Sequence, residues 1–314
     1  MADKKITIIG LGGVGGYFGF KIAYKYKNNS NVKVTFVARG QTYEIVKAYG
    51  LTLLSPEHWD LIVRPDTIIN DISKLHESDL IIICVKEYDL EKVCLELKGK
   101  INEDTLLLPL MNGVDIYDRI RKIINNAVVL PACVYVASHI KKKGVVEHKG
   151  NAGKIILGKD PQKNSIRPKW VVELLKDSEV DVVYKENSLP DIWTKFFFIA
   201  SFGLVSARYN KPIGQVNEEP ESRARVKAIM QEIQQITINK GINIPEDIIE
   251  LTFHKASTFP YNTPTSLQLD VQSKKANDEL ELFAGAIINY GRQLNIPVIE
   301  TEKIYTEIRQ INVK

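Results

Sequence analysis

The sequence predicts an α/β half followed by an all-helical half. Three observations lead there. Short apolar, β-branched runs recur through the first 186 residues, separated by glycines and helical stretches. The first of these runs feeds directly into a glycine-rich turn and then a helix. From about Asn187 long helical patterns take over, with Pro190, Pro220 and Pro245 near their starts, where a missing N–H costs little. Two domains are expected, 1–186 and 187–314, about what 314 residues predict.

Ile6, Ile8 and Ile9 form a buried-strand pattern that runs into Gly10-Leu11-Gly12-Gly13-Val14-Gly15, a G-x-G-x-x-G. The following residues, Tyr17 to Lys27, lack proline, and Val14, Phe18, Ile22 and Tyr26 recur every four residues on one helix face. Strand, glycines and helix in that order are the signature of a Rossmann-type dinucleotide-binding domain. Gly10 permits the tight turn, Gly12 lets the backbone approach a pyrophosphate, and Gly15 lets helix and strand pack closely. The helix N-terminus offers N–H groups and partial positive charge to the phosphates.

Val32–Ala38 is the next strand, and it ends at Arg39-Gly40. An acidic residue at this strand end would bind the 2′-hydroxyl of NAD, whereas an arginine suits the 2′-phosphate of NADP. Leu61–Val63 and Thr67–Ile69 read as short strands, and Asp79–Val85 as a buried one bounded by Lys86. A helix is expected over Asp89–Leu97. The strand Thr105–Leu110 ends at Met111-Asn112-Gly113-Val114. Lys86 and Asn112 then share the edge of a parallel sheet where such folds bind ligands. The runs Val128–Ile140, Gly144–His148 and Lys154–Leu157 read as antiparallel strands extending the sheet. Arg167–Lys176 has a helical pattern, and Val180–Tyr184 a last strand's. Helices are expected over Pro190–Ala207, Glu219–Lys240, Pro245–Ser257, Ser266–Gln272, Asp278–Leu294 and Glu300–Ile311, with Gly241 as a C-cap. The binding cleft is expected between the two halves.

Composition excludes several classes. The hydrophobic fraction of 44% and charged fraction of 25% are those of a globular protein. A net charge of +4, from 42 basic and 38 acidic residues, suits an anionic small molecule but is too diffuse for nucleic acid. Cys84, Cys94 and Cys133 have no metal-ligand spacing, and none of His58, His76, His139, His148 or His254 is closely spaced with a cysteine or a second histidine, so no metal is expected. Cys84 and Cys133 lie in apolar runs and read as buried free thiols, which fits a cytoplasmic location. No apolar run is long enough to span a membrane.

Taken together, these residues resemble the ketopantoate reductase (2-dehydropantoate 2-reductase) family over nearly the whole length. The resemblance is carried by Gly10–Gly16, Ala38-Arg39, Val85-Lys86, Asn112-Gly113, Gly144–His148, Trp193-Thr194-Lys195, Thr263–Asp270, Glu279–Glu281 and Gly285. It implies NADPH-dependent reduction of the 2-oxo group of ketopantoate to (R)-pantoate, a step toward coenzyme A, by a monomer or homodimer. By that resemblance Lys195 is the catalytic lysine, and Glu279 the carboxylate that holds it and engages substrate. Ser266 binds the substrate carboxylate, Asp270 lies on the same helix face, and Asn112 sits near nicotinamide and substrate hydroxyl. Gly10, Leu11, Gly12, Gly13, Val14, Gly15, Arg39, Lys86 and Asn112 bind the cofactor. Read without the family, Lys195 is a lysine snorkelling from an apolar helix, Glu279 an exposed carboxylate in the polar run Lys274–Glu281, and Ser266 a helix cap.

The sequence departs from the family at Ile199 and Gly203, where it commonly places asparagines, and in its late P-T-P-like element, here Pro297-Val298-Ile299. These departures keep two alternatives open: reduction of a different, bulkier or less polar 2-oxoacid, or a non-catalytic NADPH-binding protein.

Overall fold

The computed structural model describes residues 3–56, 60–150, 152–163, 166, 168–273 and 278–312. His58, Arg167 and Lys274–Asn277 lie outside the described residues. The chain forms two compact units, Met1–Asn112 with Ile116–Ser188, and Gly113–Asp115 with Leu189–Lys314.

The first unit opens with β1 (Lys4–Ile9), α1 (Gly13–Tyr26), β2 (Val32–Val37) and α2 (Gly40–Tyr49). There follow β3 (Leu51–Leu54), β4 (Leu61–Val63), β5 (Thr67–Ile69), β6 (Leu80–Ile83), α3 (Glu87–Leu97), β7 (Leu106–Pro109), α4 (Ile116–Arg121) and β8 (Val128–Val129). The main sheet runs β5-β2-β1-β6-β7-β8, every pair parallel. Ile8 is in register with Phe36 on one side and Ile82 on the other. The chain order reverses between β1 and β6, the crevice at which doubly wound sheets bind ligands. All four residues of β6 and of β7 are buried, which explains their unbroken apolar runs. Helix α1 begins at Gly13 rather than Tyr17, because the glycines themselves form its first turn.

The strands after β8 do not extend this sheet. They are β9 (Ala132–Tyr135), β10 (Ser138–Lys142), β11 (Val145–His148), β12 (Lys154–Gly158) and, after α5 (Lys169–Asp177), β13 (Asp181–Lys185). They build two smaller sheets, β10-β11-β3-β4 and β13-β12-β9, with β11–β3 and β12–β13 parallel. Pro131 supplies the break. It has no N–H to continue the ladder beyond β8, and its carbonyl accepts from Gly158 N and Ser188 Oγ instead. Below the junction, fully buried Asp160 pairs with Arg121 and accepts from Tyr117 Oη (2.7 Å) and Val129 N (2.8 Å), tying α4 to β8.

The second unit is helical: α6 (Leu189–Tyr209), α7 (Ile213–Glu218), α8 (Pro220–Asn239), α9 (Ile248–Ser257), α10 (Ser266–Gln272), a π-helical turn (Glu281–Gly285), α11 (Ala286–Leu294) and α12 (Ile299–Asn312). Helix α6 is apolar almost all round and buries Trp193, Phe196, Phe197 and Phe202, as the central helix of a core does. It stops at Asn210, a left-handed residue. Pro245 lies before α9, whose N-cap is Asp247. The helix expected over Asp278–Leu294 is interrupted by the π-turn, where Glu281 is held by Tyr305 Oη (2.5 Å) and Arg309 (2.8 Å).

Candidate active site

A pocket of about 510 Å³ lies at the carboxyl ends of β1, β2 and β6. Gly10, Leu11, Gly12, Arg39 and Lys86 all line it. Gly10 has φ +93°, and a Cβ on it would stand 2.6 Å from the Cys84 carbonyl oxygen, so only glycine makes this turn. A Cβ on Gly15 would collide with the Gly10 carbonyl and come within 2.8 Å of Cys84 Cβ, which sets the close approach of α1 to β1 and β6. At Gly12 a Cβ would meet nothing within 4 Å, so the backbone there borders open space. No side chain caps α1 and no acidic residue lies in its first turn. The helix end is thus suited to a diphosphate, and these residues fit a dinucleotide. Gly13 packs against the Ser138 backbone, and with Val14 and Gly15 it forms the first turn of α1 behind the pocket wall.

At the end of β2, Arg39 is the N-cap residue of α2 and its side chain is 64% exposed. Both ends of its fork donate to Asp89, Nη1 to Oδ1 at 3.1 Å and Nη2 to Oδ2 at 2.6 Å. That pairing holds the guanidinium even more firmly charged than usual. Asp89 also lines the pocket, as do Lys92, Glu96 and Asp71. Sequence reading noted Asp89 only as a helix start. The available signal was its place three residues after Lys86, in the first turn of the helix that follows a ligand-edge strand.

Cys84 is partly exposed as a residue and lines the same pocket, but burial still pushes its thiol well above the usual range. It sits where the strand ends and the pocket begins. Cys133 is buried, and burial pushes the Cys94 thiol up to about 12. Asn112 follows β7, partly buried, with Gly113 at φ +108° beside it, and does not line this pocket.

In the helical unit Lys195 is 9% exposed and Glu279 5%. Neither is the solvated side chain that a structural reading expects: Lys195 does not snorkel out, and Glu279 is not on an exposed helix face. Ring contacts of Trp193 with Tyr290 (5.6 Å) and Phe196 with Phe283 (6.2 Å) bring the segment after Glu279 against the end of α6 that carries Lys195. The π-turn begins two residues beyond Glu279, and such turns are frequent at functional sites. Helix α10 also packs on α6, with a Cβ on Gly203 placed 3.8 Å from Leu267 Cβ. Its cap is Thr265, which forms a reciprocal capping box with Gln268. Ser266 is therefore not the cap; it is exposed at the first position of α10, with partly buried Asp270 one turn on. Ile199 stands between Lys195 and Gly203, one turn from each.

Among the described residues no group of three or more histidines, cysteines and carboxylates is placed to hold a metal ion, and no helix is long and apolar enough to cross a membrane.

Comparison with known proteins gives the family and the fold. Residues 6–162 match the family model described as ketopantoate reductase PanE/ApbA, and residues 187–312 its C-terminal counterpart. The chain is 24% identical over 299 residues to a Bacillus subtilis protein named uncharacterized oxidoreductase YkpB, covering 95% of this chain and 96% of that one. It is 23% identical over 313 residues to the 2-dehydropantoate 2-reductase of Streptococcus pyogenes serotype M1, covering 98% and 99%. Among solved structures, a PanE/ApbA family ketopantoate reductase from Ralstonia eutropha superposes with a TM-score of 0.87 at 25% identity, covering 98% of both chains. D-mandelate dehydrogenase with NADH and anilino(oxo)acetate superposes at 0.84 and 19% identity, also over 98% of both, a likeness of fold. The chain belongs to the PanE/ApbA ketopantoate reductase family of oxidoreductases.

Proposed function

We propose that this protein reduces the 2-oxo group of ketopantoate to (R)-pantoate with NADPH, as a cytoplasmic enzyme on the route to coenzyme A. The observation that carries this reading is Lys195, only 9% exposed on an apolar helix, at the position that the family resemblance assigns to the catalytic lysine. When bound, NADPH supplies the hydride delivered to C2. Gly10, Gly12 and the first turn of α1 hold the diphosphate, Arg39 the 2′-phosphate, and Lys86 the cofactor side of the site. Lys195 donates its proton to the oxygen as negative charge develops on it. Glu279 orients the ammonium, Ser266 hydrogen-bonds the substrate carboxylate with Asp270 on the same face, and Asn112 orients the carbonyl.

A second reading keeps this chemistry and changes the substrate to a bulkier or less polar 2-oxoacid. Ile199 and Gly203 favour it, since an aliphatic side chain and a hydrogen stand where the family commonly has amides. NADPH oxidation followed by absorbance, with ketopantoate and a panel of other 2-oxoacids, separates the two. Ketopantoate as clear best substrate by kcat/KM supports the first reading, and a bulkier acid as best substrate supports the second. NADPH binding with no turnover on any oxoacid overturns both and leaves a non-catalytic binding protein.

A further inference from the structure

The carboxylate that faces Arg39 is unaccounted for by a pocket built only to hold a phosphorylated ribose. Both donor prongs of Arg39 already end on Asp89, at 3.1 and 2.6 Å, the two-pronged geometry a phosphate would otherwise take. Asp89 lies in the first turn of α3, where the helix end favours a negative charge. Its side chain is 23% exposed, against 64% for Arg39, so the carboxylate is the more fixed of the two. The rest of the pocket is of mixed charge, with Lys86 and Lys92 lining it alongside Asp71 and Glu96. Lys92 lies 3.8 Å from Glu96, and Asp71 accepts from Ser73 N at 2.7 Å. A 2′-phosphate arriving here meets an arginine already engaged and a like charge behind it. A 2′-hydroxyl meets an acceptor of the kind that selects unphosphorylated dinucleotides.

We propose that Asp89 is a specificity-determining residue that restrains Arg39 and accepts from an unphosphorylated ribose, so that the pocket takes NADH alongside NADPH. The inference rests on the dinucleotide reading of this pocket. The test is equilibrium binding by calorimetry, with NADPH, NADH and the fragments 2′,5′-ADP and 5′-ADP, on the wild-type chain and on Asp89→Asn. Wild type is expected to prefer 2′,5′-ADP over 5′-ADP by no more than about tenfold, given an exposed and pre-engaged arginine. Asp89→Asn should tighten NADPH and weaken NADH, moving the ratio of their Kd values toward NADPH by about fivefold or more. Equal weakening of both dinucleotides would make Asp89 a merely structural residue and overturn the proposal, as would an unchanged ratio. A wild-type preference for 2′,5′-ADP of about a hundredfold or more overturns it without recourse to any variant. Wild type that binds none of the four ligands defeats the dinucleotide reading itself, a failure distinct from the others.

Discussion

At the scale of single residues the informative fact is burial of charge. A lysine and a glutamate that are 9% and 5% exposed are costly to bury in charged form unless paired and hydrogen-bonded. Lys195→Ala should lower kcat by about 10²–10⁴-fold, the usual worth of a positioned general acid, while the Kd for NADPH stays nearly constant. Comparable loss of both would mark Lys195 as structural. Arg39 is argued from its charge. Arg39→Glu should reverse the cofactor preference toward NADH, because the new carboxylate repels the 2′-phosphate and accepts from the 2′-hydroxyl; the ratio of Kd values for the two cofactors checks it. Lys195 stood out in the sequence as a candidate because a lysine in so apolar a helix has no amphipathic reason to be there. Asp89 was not: an aspartate in the first turn of a helix is ordinary, and only the fold brings it to Arg39, fifty residues away in sequence.

At the scale of elements, the glycine turn between β1 and α1 is a steric device whose parts are not interchangeable. Gly15→Ala puts a methyl group against the Gly10 carbonyl, which is backbone and cannot swing aside. Forcing the helix off the strand should cost about 1–3 kcal/mol of stability and weaken NADPH binding, read by thermal melting and calorimetry. The same substitution at Gly12 meets open space in the ligand-free chain, so the two positions separate packing from ligand approach. Most strands and helices were legible from periodicity, but α2, β3, α4 and α7 were not singled out. The two secondary sheets were not legible either, because strand partners are a matter of long-range pairing, and a short apolar run looks the same beside β8 as beside β3. The π-turn at Glu281–Gly285 escaped for a similar reason: it is fixed by Tyr305 and Arg309 from another helix, not by local propensity.

At the scale of the whole molecule, stability should fall in acid. Lys141 and Lys149 bring Glu147 down to about 2, and the Ser73 N–H and hydroxyl lower Asp71. Burial pushes Glu307 up, but hydrogen bonds from Arg225 and Arg208 outweigh it and hold the carboxyl below its usual 4.5. A depressed carboxylate stabilises the fold above its unfolded pKa, and that contribution is lost as pH falls through the folded value. Partly buried Glu232 works in the opposite sense, since desolvation raises it. The depressed groups outnumber it, so the urea midpoint should drop as pH falls from about 5 toward 2. Glu307→Gln should flatten that dependence in the helical unit, and an unchanged profile would remove Glu307 from the account.

By itself the sequence determined the α/β-then-helical order, the glycine turn, the strand-end arginine and the family, because each is written in local spacing or residue type. Only the tertiary structure decided that Lys195 and Glu279 are buried, that Thr265 rather than Ser266 caps α10, and that Arg39 is paired. Burial, capping geometry and charge pairing depend on which surfaces fold against each other, and the chain specifies those only through packing among residues far apart along it.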